Sequence, residues 1–203
     1  MNPDFRFTTI AHTATALFRD RGSKFHAFAY PVKNAQEVRE QLQLLRKEHP
    51  KANHHCYAFR IGTEGLLFRA VDDGEPSGSA GRPILGQIDS AGMTNVLVVV
   101  VRYFGGTLLG VPGLINAYKT AAADALAAAG QTSQWREQRT EISCDYHTIG
   151  EVLYLLKQAE ATIYAQDMQL FCNITAGIPL VHMETCKDRL QQIRGVTVTE
   201  TAS

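Results

Sequence analysis

The sequence lacks the features that mark membrane, secreted and disulfide-bonded proteins. Its longest strongly apolar run, from Val96 to Val101, is six residues long, whereas a membrane-spanning helix needs about 20. Residues 1–9 show no succession of basic, apolar and small residues typical of a secretory signal, so we expect a cytoplasmic protein. The four cysteines form no C-x-x-C pair, and we expect free, mostly buried thiols.

An excess of charge of one sign is also absent. The net charge is zero, with 14 Lys and Arg against 11 Asp and Glu in residues 1–135, and 6 against 9 in residues 136–203. This balance excludes an extended, strongly basic surface that could bind a long nucleic-acid duplex, but it allows local basic patches. With 203 residues and 45% hydrophobic content, the chain can form one large domain or two small ones.

The first two thirds of the chain show mixed strand and helix patterns. Asn34 is a candidate N-cap, and Pro50 would end the helix that follows it. The predicted elements are two strands joined near 20–23, a helix over 34–49, a hairpin over 54–71, a short helix over 82–91, a buried strand over 95–104 and an alanine-rich helix over 114–130. This order predicts an α/β domain.

A polar segment, residues 131–137, separates a second pattern from the first. The remaining residues read strand, helix, strand, strand, helix, strand, which is the βαββαβ order of ferredoxin-like domains. We therefore predict an α+β protein with domains at residues 1–133 and 138–203, the second smaller than the first.

Turn-forming residues are concentrated in "DDGEPSGSAGRPIL", residues 72–85. Small residues before a helix can present backbone N–H groups to a phosphate. However, the stretch has the spacing of neither common glycine motif, and Asp72, Asp73 and Glu75 would repel a phosphate unless a metal intervened. The stretch is therefore a poor match to a nucleotide-binding loop.

Two other stretches carry candidate functional side chains. His54 and His55 begin a strand and should face opposite ways, which disfavours a shared metal and favours hydrogen bonds to the acidic loop. Arg102 and Tyr103 end the buried strand and could present a cation and a ring to a phosphate or base; a snorkelling Arg and a half-buried Tyr are the alternative. Next, "GG" at 105–106 indicates close backbone approach or a rigid exposed loop.

Three stretches together resemble the IMPACT family, in particular its bacterial YigZ type: "HHCYAF" at 54–59, "DDGEPSGSAGRPIL" at 72–85 and "VVVVRYFGGTLLGVPGLINAY" at 98–118. The resemblance implies a two-layer α/β first domain of the ribosomal-protein and GHMP-kinase type, and a ferredoxin-like second domain. Eukaryotic IMPACT regulates translation by competing for the ribosome-associated activator of a starvation-responsive kinase. The resemblance therefore implies a role in translation for this chain.

Our leading hypothesis is a non-enzymatic regulatory protein that binds RNA or the ribosome, without a cofactor, a metal or a membrane. The three stretches hold many polar residues and glycines but no complete catalytic set. The predicted surface consists of His54, His55, Asp72, Asp73, Glu75, Ser77, Ser79, Arg82, Arg102, Tyr103, Gly105 and Gly106.

Two alternatives stay open, and the sequence leaves the oligomeric state undetermined. One is an enzyme or binding protein for a small phosphorylated or nucleotide ligand, in which the three acids hold a divalent metal and His54 or His55 is the general base. The other is an adaptor that uses the same loops to bind a protein.

Overall fold

The computed structural model describes residues 5–169 and 171–201. These residues form two compact units. Phe7–Gln134 form the first unit. The described residues from Trp135 onward form the second unit, to which Phe5 and Arg6 also belong. None of the helices in residues 5–169 and 171–201 has the length and hydrophobicity of a membrane-spanning segment.

The first unit is built on a five-stranded antiparallel sheet. Its strands are β2 (Ala14–Asp20), β3 (Ser23–Pro31), β4 (His54–Ile61), β5 (Leu67–Val71) and β6 (Val96–Tyr103), which follow a short strand β1 (Arg6–Ile10). The strand order is β2-β3-β6-β4-β5, and each neighbouring pair is antiparallel. The central strand, β6, is buried over its first seven residues, as its continuous β-branched run predicts.

Helices lie on both faces of this sheet. The helices are α1 (Ala35–Glu48), α2 (Gly81–Ser90) and α3 (Gly110–Ala129). On one face, α2 and α3 cover a core that includes Phe25 and Tyr118, both fully buried. On the other face, Val38 and Leu45 of α1 pack in a separate core with Val99. The expected two-layer arrangement is therefore extended by α1 on the second face.

The start of α1 has the predicted cap. The Asn34 side chain accepts hydrogen bonds from the backbone N–H groups of Gln36 and Glu37, which satisfies two donors that a helix start otherwise leaves without partners. The helix ends at Glu48, two residues before Pro50.

The polar segment after α3 contains a strand that its sequence does not predict. Gln131–Trp135 form a strand, β7, which pairs with β1 in a two-stranded sheet. Gly130 has a φ of +63° at the end of α3, and its carbonyl accepts a hydrogen bond from Ala11 N–H at 3.2 Å. Tertiary pairing thus makes a strand from residues with no apolar alternation, because the backbone bonds do not depend on side-chain type.

The second unit has the predicted βαββαβ order. Its elements are β8 (Glu137–Cys144), α4 (Ile149–Gln158), β9 (Thr162–Met168), β10 (Cys172–Pro179), α5 (Met183–Gln192) and β11 (Thr197–Glu200). They form an antiparallel sheet in the order β11-β8-β10-β9, with a core centred on Ile142, Leu156 and Ile174. The α+β class is confirmed, and all four cysteines are free and buried, as expected.

Candidate functional site

The three predicted stretches meet where β6 ends. Antiparallel pairing places His54 of β4 opposite Arg102, and Lys24 of β3 opposite Tyr103. The loop at 72–80 follows β5, the partner of β4, and leads into α2. One end of the sheet therefore gathers residues that lie far apart in the sequence.

Asp72 closes the loop at 72–80 with its own carboxylate. The two oxygens accept backbone N–H bonds from Gly78 at 2.8 Å, Ala80 at 3.0 Å and Gly81 at 2.8 Å. Burial favours a higher pKa for this carboxyl, but these three donors outweigh it and leave the pKa below its ordinary value. The carboxylate thus occupies the position that a phosphate would take at the start of α2.

Asp73 ties the same loop to β4 and α1. Its carboxylate accepts a bond from His55 N–H at 2.7 Å and from Arg46 Nη2 at 3.1 Å, and its carbonyl oxygen lies 2.9 Å from Nδ1 of His54. Asp73 has a φ of +45°, a conformation that costs a non-glycine residue energy and needs such contacts to persist. Both histidines therefore contact the acidic loop.

Glu75 lies at the centre of a buried polar network. Its side chain is 3% exposed, and Oε1 accepts bonds from Arg102 Nη1 at 2.6 Å and Tyr118 Oη at 2.8 Å. Cys56 Sγ donates to Tyr118 Oη at 3.3 Å. Oε1 also lies 3.9 Å from Nε2 of His54. The network links the loop to β4, β6 and α3.

Two members of this network are kept neutral by burial. Burial raises the pKa of the Cys56 thiol and also that of the Tyr118 hydroxyl. Because a nucleophilic cysteine needs a thiolate, Cys56 is a structural residue in this setting. The predicted surface does not include Tyr118 or Cys56, although both lie in stretches that carry the family resemblance. A signal for Tyr118 was available, because it is a lone phenol on an alanine-rich helix.

The remaining residues of the predicted surface have different environments. Ser79 is fully buried and its hydroxyl donates to Pro76 O at 2.6 Å, whereas Ser77 and Arg82 are exposed. Gly105 and Gly106 are exposed as well. A Cβ on Gly105 would overlap the backbone of Gly22, so the glycine there permits a close approach of two loops.

The sheet divides the predicted residues into two groups. Arg102 and His54 face α2 and α3, since both contact Glu75. Tyr103 and His55 face α1: Tyr103 packs with the α1 core, and the pKa of His55 is lowered by burial and by Arg46 of that helix. Because neighbouring residues on a strand point to opposite faces, no single surface holds all four side chains.

A cleft opens on the α1 face beside Tyr103, and we call it the cationic cleft. It has a volume of about 380 Å³, of the size that binds small groups. Nδ1 of His49 lies 2.8 Å from the Tyr103 hydroxyl, and the ring of His26 lies 5.7 Å from that of Tyr103. The residues lining it are Gly22, Lys24, His26, His49, Tyr103 and Phe104.

The cationic cleft is lined by basic residues and by no acidic residue. Burial lowers the pKa of His26, and the charges of His49, Lys24 and Arg19 lower it further. None of the six lining residues is acidic. Lys24 thus supplies a positive charge in the cleft without a carboxylate among the lining residues, and the cleft favours an anion.

The acids of the loop do not form a metal site. Among residues 5–169 and 171–201, no three His, Cys, Asp or Glu side chains lie close enough together to hold a metal ion. Asp72, Asp73 and Glu75 are instead bonded to backbone N–H groups or to arginines. Their charges are balanced within the protein.

Comparisons with known proteins agree with the fold and the motifs. Residues 21–126 match the model of the Impact N-terminal domain. The chain is 33% identical to the IMPACT family member YigZ of Escherichia coli, over 83% of this chain and 84% of that protein. It is 37% identical to the Protein IMPACT homolog of Saccharomyces cerevisiae over 58% of this chain and 46% of that one. A crystal structure of a hypothetical protein, 28% identical, covers 98% of both chains with a TM-score of 0.76.

Proposed function

The chain belongs to the IMPACT family, and we propose that it acts in translation by binding RNA, free or within the ribosome, through the cationic cleft. The observation that carries the proposal is the exposed cation there: Lys24 is exposed, and no acidic residue lines the cleft. RNA presents a continuous row of phosphates, and their affinity for protein comes mainly from such cations.

The internal bonding of the acidic loop supports the same proposal. Free carboxylates next to the cleft would repel a phosphate backbone. Asp73 and Glu75 each pair with an arginine, and Asp72 is held by three backbone N–H groups. These partners balance the negative charge of the loop.

The same bonding argues against the enzyme alternative. A nucleotide would need the N–H groups at the start of α2, which Asp72 already occupies. A metal-assisted reaction would need the acids as ligands, and a thiol nucleophile would need an ionised Cys56. The N–H groups, the acids and the Cys56 thiol instead form hydrogen bonds within the protein.

In our proposal Arg102 does not contact a phosphate. It is 5% exposed, and its guanidinium pairs with Glu75. In our proposal Arg102 positions the loops, and Lys24 supplies the phosphate contact.

The test is an RNA-binding measurement with a charge-reversal variant and a matched control. We expect the wild-type protein to bind a fluorescently labelled RNA at low salt, and Lys24→Glu to weaken binding about tenfold or more, which corresponds to about 1.4 kcal/mol. Lys33→Glu makes the same change just beyond the other end of β3. The two lysines are about 30 Å apart at the rise of a strand, well beyond the screening length of about 10 Å.

Three results would contradict the proposal. The first is a wild-type protein that binds no RNA at low salt. The second is an equal loss of affinity in Lys24→Glu and Lys33→Glu. The third is capture of a protein partner through the cleft that persists after nuclease treatment, together with an unchanged RNA affinity in Lys24→Glu; this would indicate the adaptor alternative.

A further inference from the structure

Phe104 is an exposed aromatic residue at the edge of the cationic cleft. Its side chain and backbone together are 46% exposed, and it lines the cleft beside Tyr103. Exposing a phenyl ring costs hydrophobic free energy unless a ligand covers it. Phe104 differs from Phe68, which is 54% exposed on β5, in lying beside Lys24 in the cationic cleft.

The backbone under Phe104 is fixed on both sides. Phe104 N–H donates to Oδ1 of Asn53 at 3.0 Å, and Gly105 N–H donates to Oγ of Ser23 at 3.1 Å. Gly105 also lies so close to Gly22 that an added Cβ would overlap its backbone. The ring is thus carried on a segment with little freedom, and binding a ligand there would cost little ordering entropy.

The ring also lies near a fixed cation. Cζ of Arg102 is 5.6 Å from the centroid of Phe104, within the range of a cation–π contact. The guanidinium is itself held by Glu75 at 2.6 Å. The buried network therefore supports Phe104 as well as the loops.

A fixed, exposed ring beside cations matches one kind of ligand. An unpaired base stacks on an aromatic ring while the phosphate next to it meets a cation, and stacking tolerates any base because every base has a π-face. A base in a duplex is covered on both faces by its neighbours, so it cannot use such a platform. Tyr103 is unsuited to the role because its hydroxyl is held by His49 and its ring packs with the α1 core.

We infer that Phe104 stacks on an unpaired base while Lys24 contacts the adjacent phosphate, so that the cleft selects single-stranded over double-stranded nucleic acid. This inference rests on the proposed RNA binding. Single-stranded RNA and single-stranded DNA share the chemistry that the platform recognises, and the experiment compares the two.

The experiment measures the affinity of the full chain for three labelled ligands of about 12 nucleotides: a single-stranded RNA, the same RNA annealed to its complement, and a single-stranded DNA of the same sequence. We expect Phe104→Leu to weaken binding of single-stranded RNA about fivefold or more, since an aromatic platform contributes that much per base. Duplex binding should stay within about twofold, because phosphate contacts do not need the ring.

Two variants serve as controls. Phe68→Leu makes the same change at another exposed phenylalanine, 54% exposed on β5, and should leave all affinities unchanged. Phe104→Tyr keeps a ring and should retain the binding of single strands. If single-stranded DNA binds as well as RNA and both weaken in Phe104→Leu, the platform is shown and the ligand class is single strands of either kind.

The inference and the proposed function fail in different ways. If Lys24→Glu weakens RNA binding while Phe104→Leu leaves it unchanged, stacking is refuted and RNA binding stands. Equal losses for single strand and duplex in Phe104→Leu would also refute stacking. If the wild-type protein binds none of the three ligands, both statements fail.

Discussion

Glu75→Gln would leave the Arg102 guanidinium buried without a negative partner. The change keeps the size and shape of the side chain but removes its charge. Arg102 has a side chain that is 7% exposed, against 3% for Glu75, so water cannot replace the lost carboxylate. Tyr118 would still find an oxygen acceptor in the amide, which confines the perturbation to the ion pair.

The expected cost follows from this burial. Removing one partner of a buried ion pair costs about 3–5 kcal/mol, because the remaining charge stays desolvated. An exposed pair contributes about 1 kcal/mol or less. The same unit offers such a pair for comparison: Arg60 Nη2 lies 2.7 Å from Asp89 Oδ1, with side chains 23% and 43% exposed. We therefore expect Glu75→Gln to destabilise the first unit several times more than Asp89→Asn.

Native-state hydrogen exchange of the β6 amides gives the free energy of unfolding of the first unit separately from the second. The double variant Glu75→Gln with Arg102→Met removes both charges. Its loss of unfolding free energy should be smaller than the sum of the losses in the two single variants. If Glu75→Gln costs no more than Asp89→Asn, or if the two single losses simply add, the network does not hold the loops in the way described.

Three further predictions concern titratable side chains. Asp72→Asn supplies one acceptor oxygen in place of two and should destabilise α2 by about 1–3 kcal/mol. Because the folded pKa of Asp72 lies below 3.8, the stabilisation by its carboxylate is present above that pH and is lost as the pH falls. The melting temperature of the variant should therefore depend less on pH in the acid range than that of the wild-type protein. His55 has a folded pKa below 6.5, so the unfolded state binds more protons and the melting temperature should fall as pH drops below 6.5, less steeply in His55→Gln. His26 is also kept neutral by burial and by neighbouring cations, and a bound phosphate would favour its protonation, so RNA affinity should rise on acidification in the wild-type protein and rise less in His26→Gln.

Much of the fold could be predicted because local sequence patterns indicate many of its helices and strands. The Asn34 cap, the β-branched run of β6 and the βαββαβ order of the second unit each follow from patterns within a few residues. The strand β7 could not be predicted in this way. Its residues show no strand alternation, and they adopt this conformation because β1 supplies backbone partners.

The candidate site was less accessible to sequence reasoning. The motifs indicated which loops meet, but the pairing of Glu75 with Arg102 joins residues 27 positions apart, and no local pattern reveals it. The cationic cleft combines Lys24, His49 and Phe104 from three separate segments. The strand register sets Lys24 opposite Tyr103, and the segments after α1 and β6 bring His49 and Phe104 to the same cleft.

The most direct test of RNA binding through the cationic cleft is the salt dependence of the affinity for a single-stranded RNA between about 50 and 200 mM salt. Each phosphate contact lowers the slope of log K against log salt by about 0.7 for single strands. We predict that Lys24→Ala makes the slope about 0.7 less negative than in the wild-type protein, and that Lys33→Ala leaves the slope unchanged. Identical slopes for Lys24→Ala and the wild-type protein would contradict the account, because they would show that no phosphate lies at Lys24.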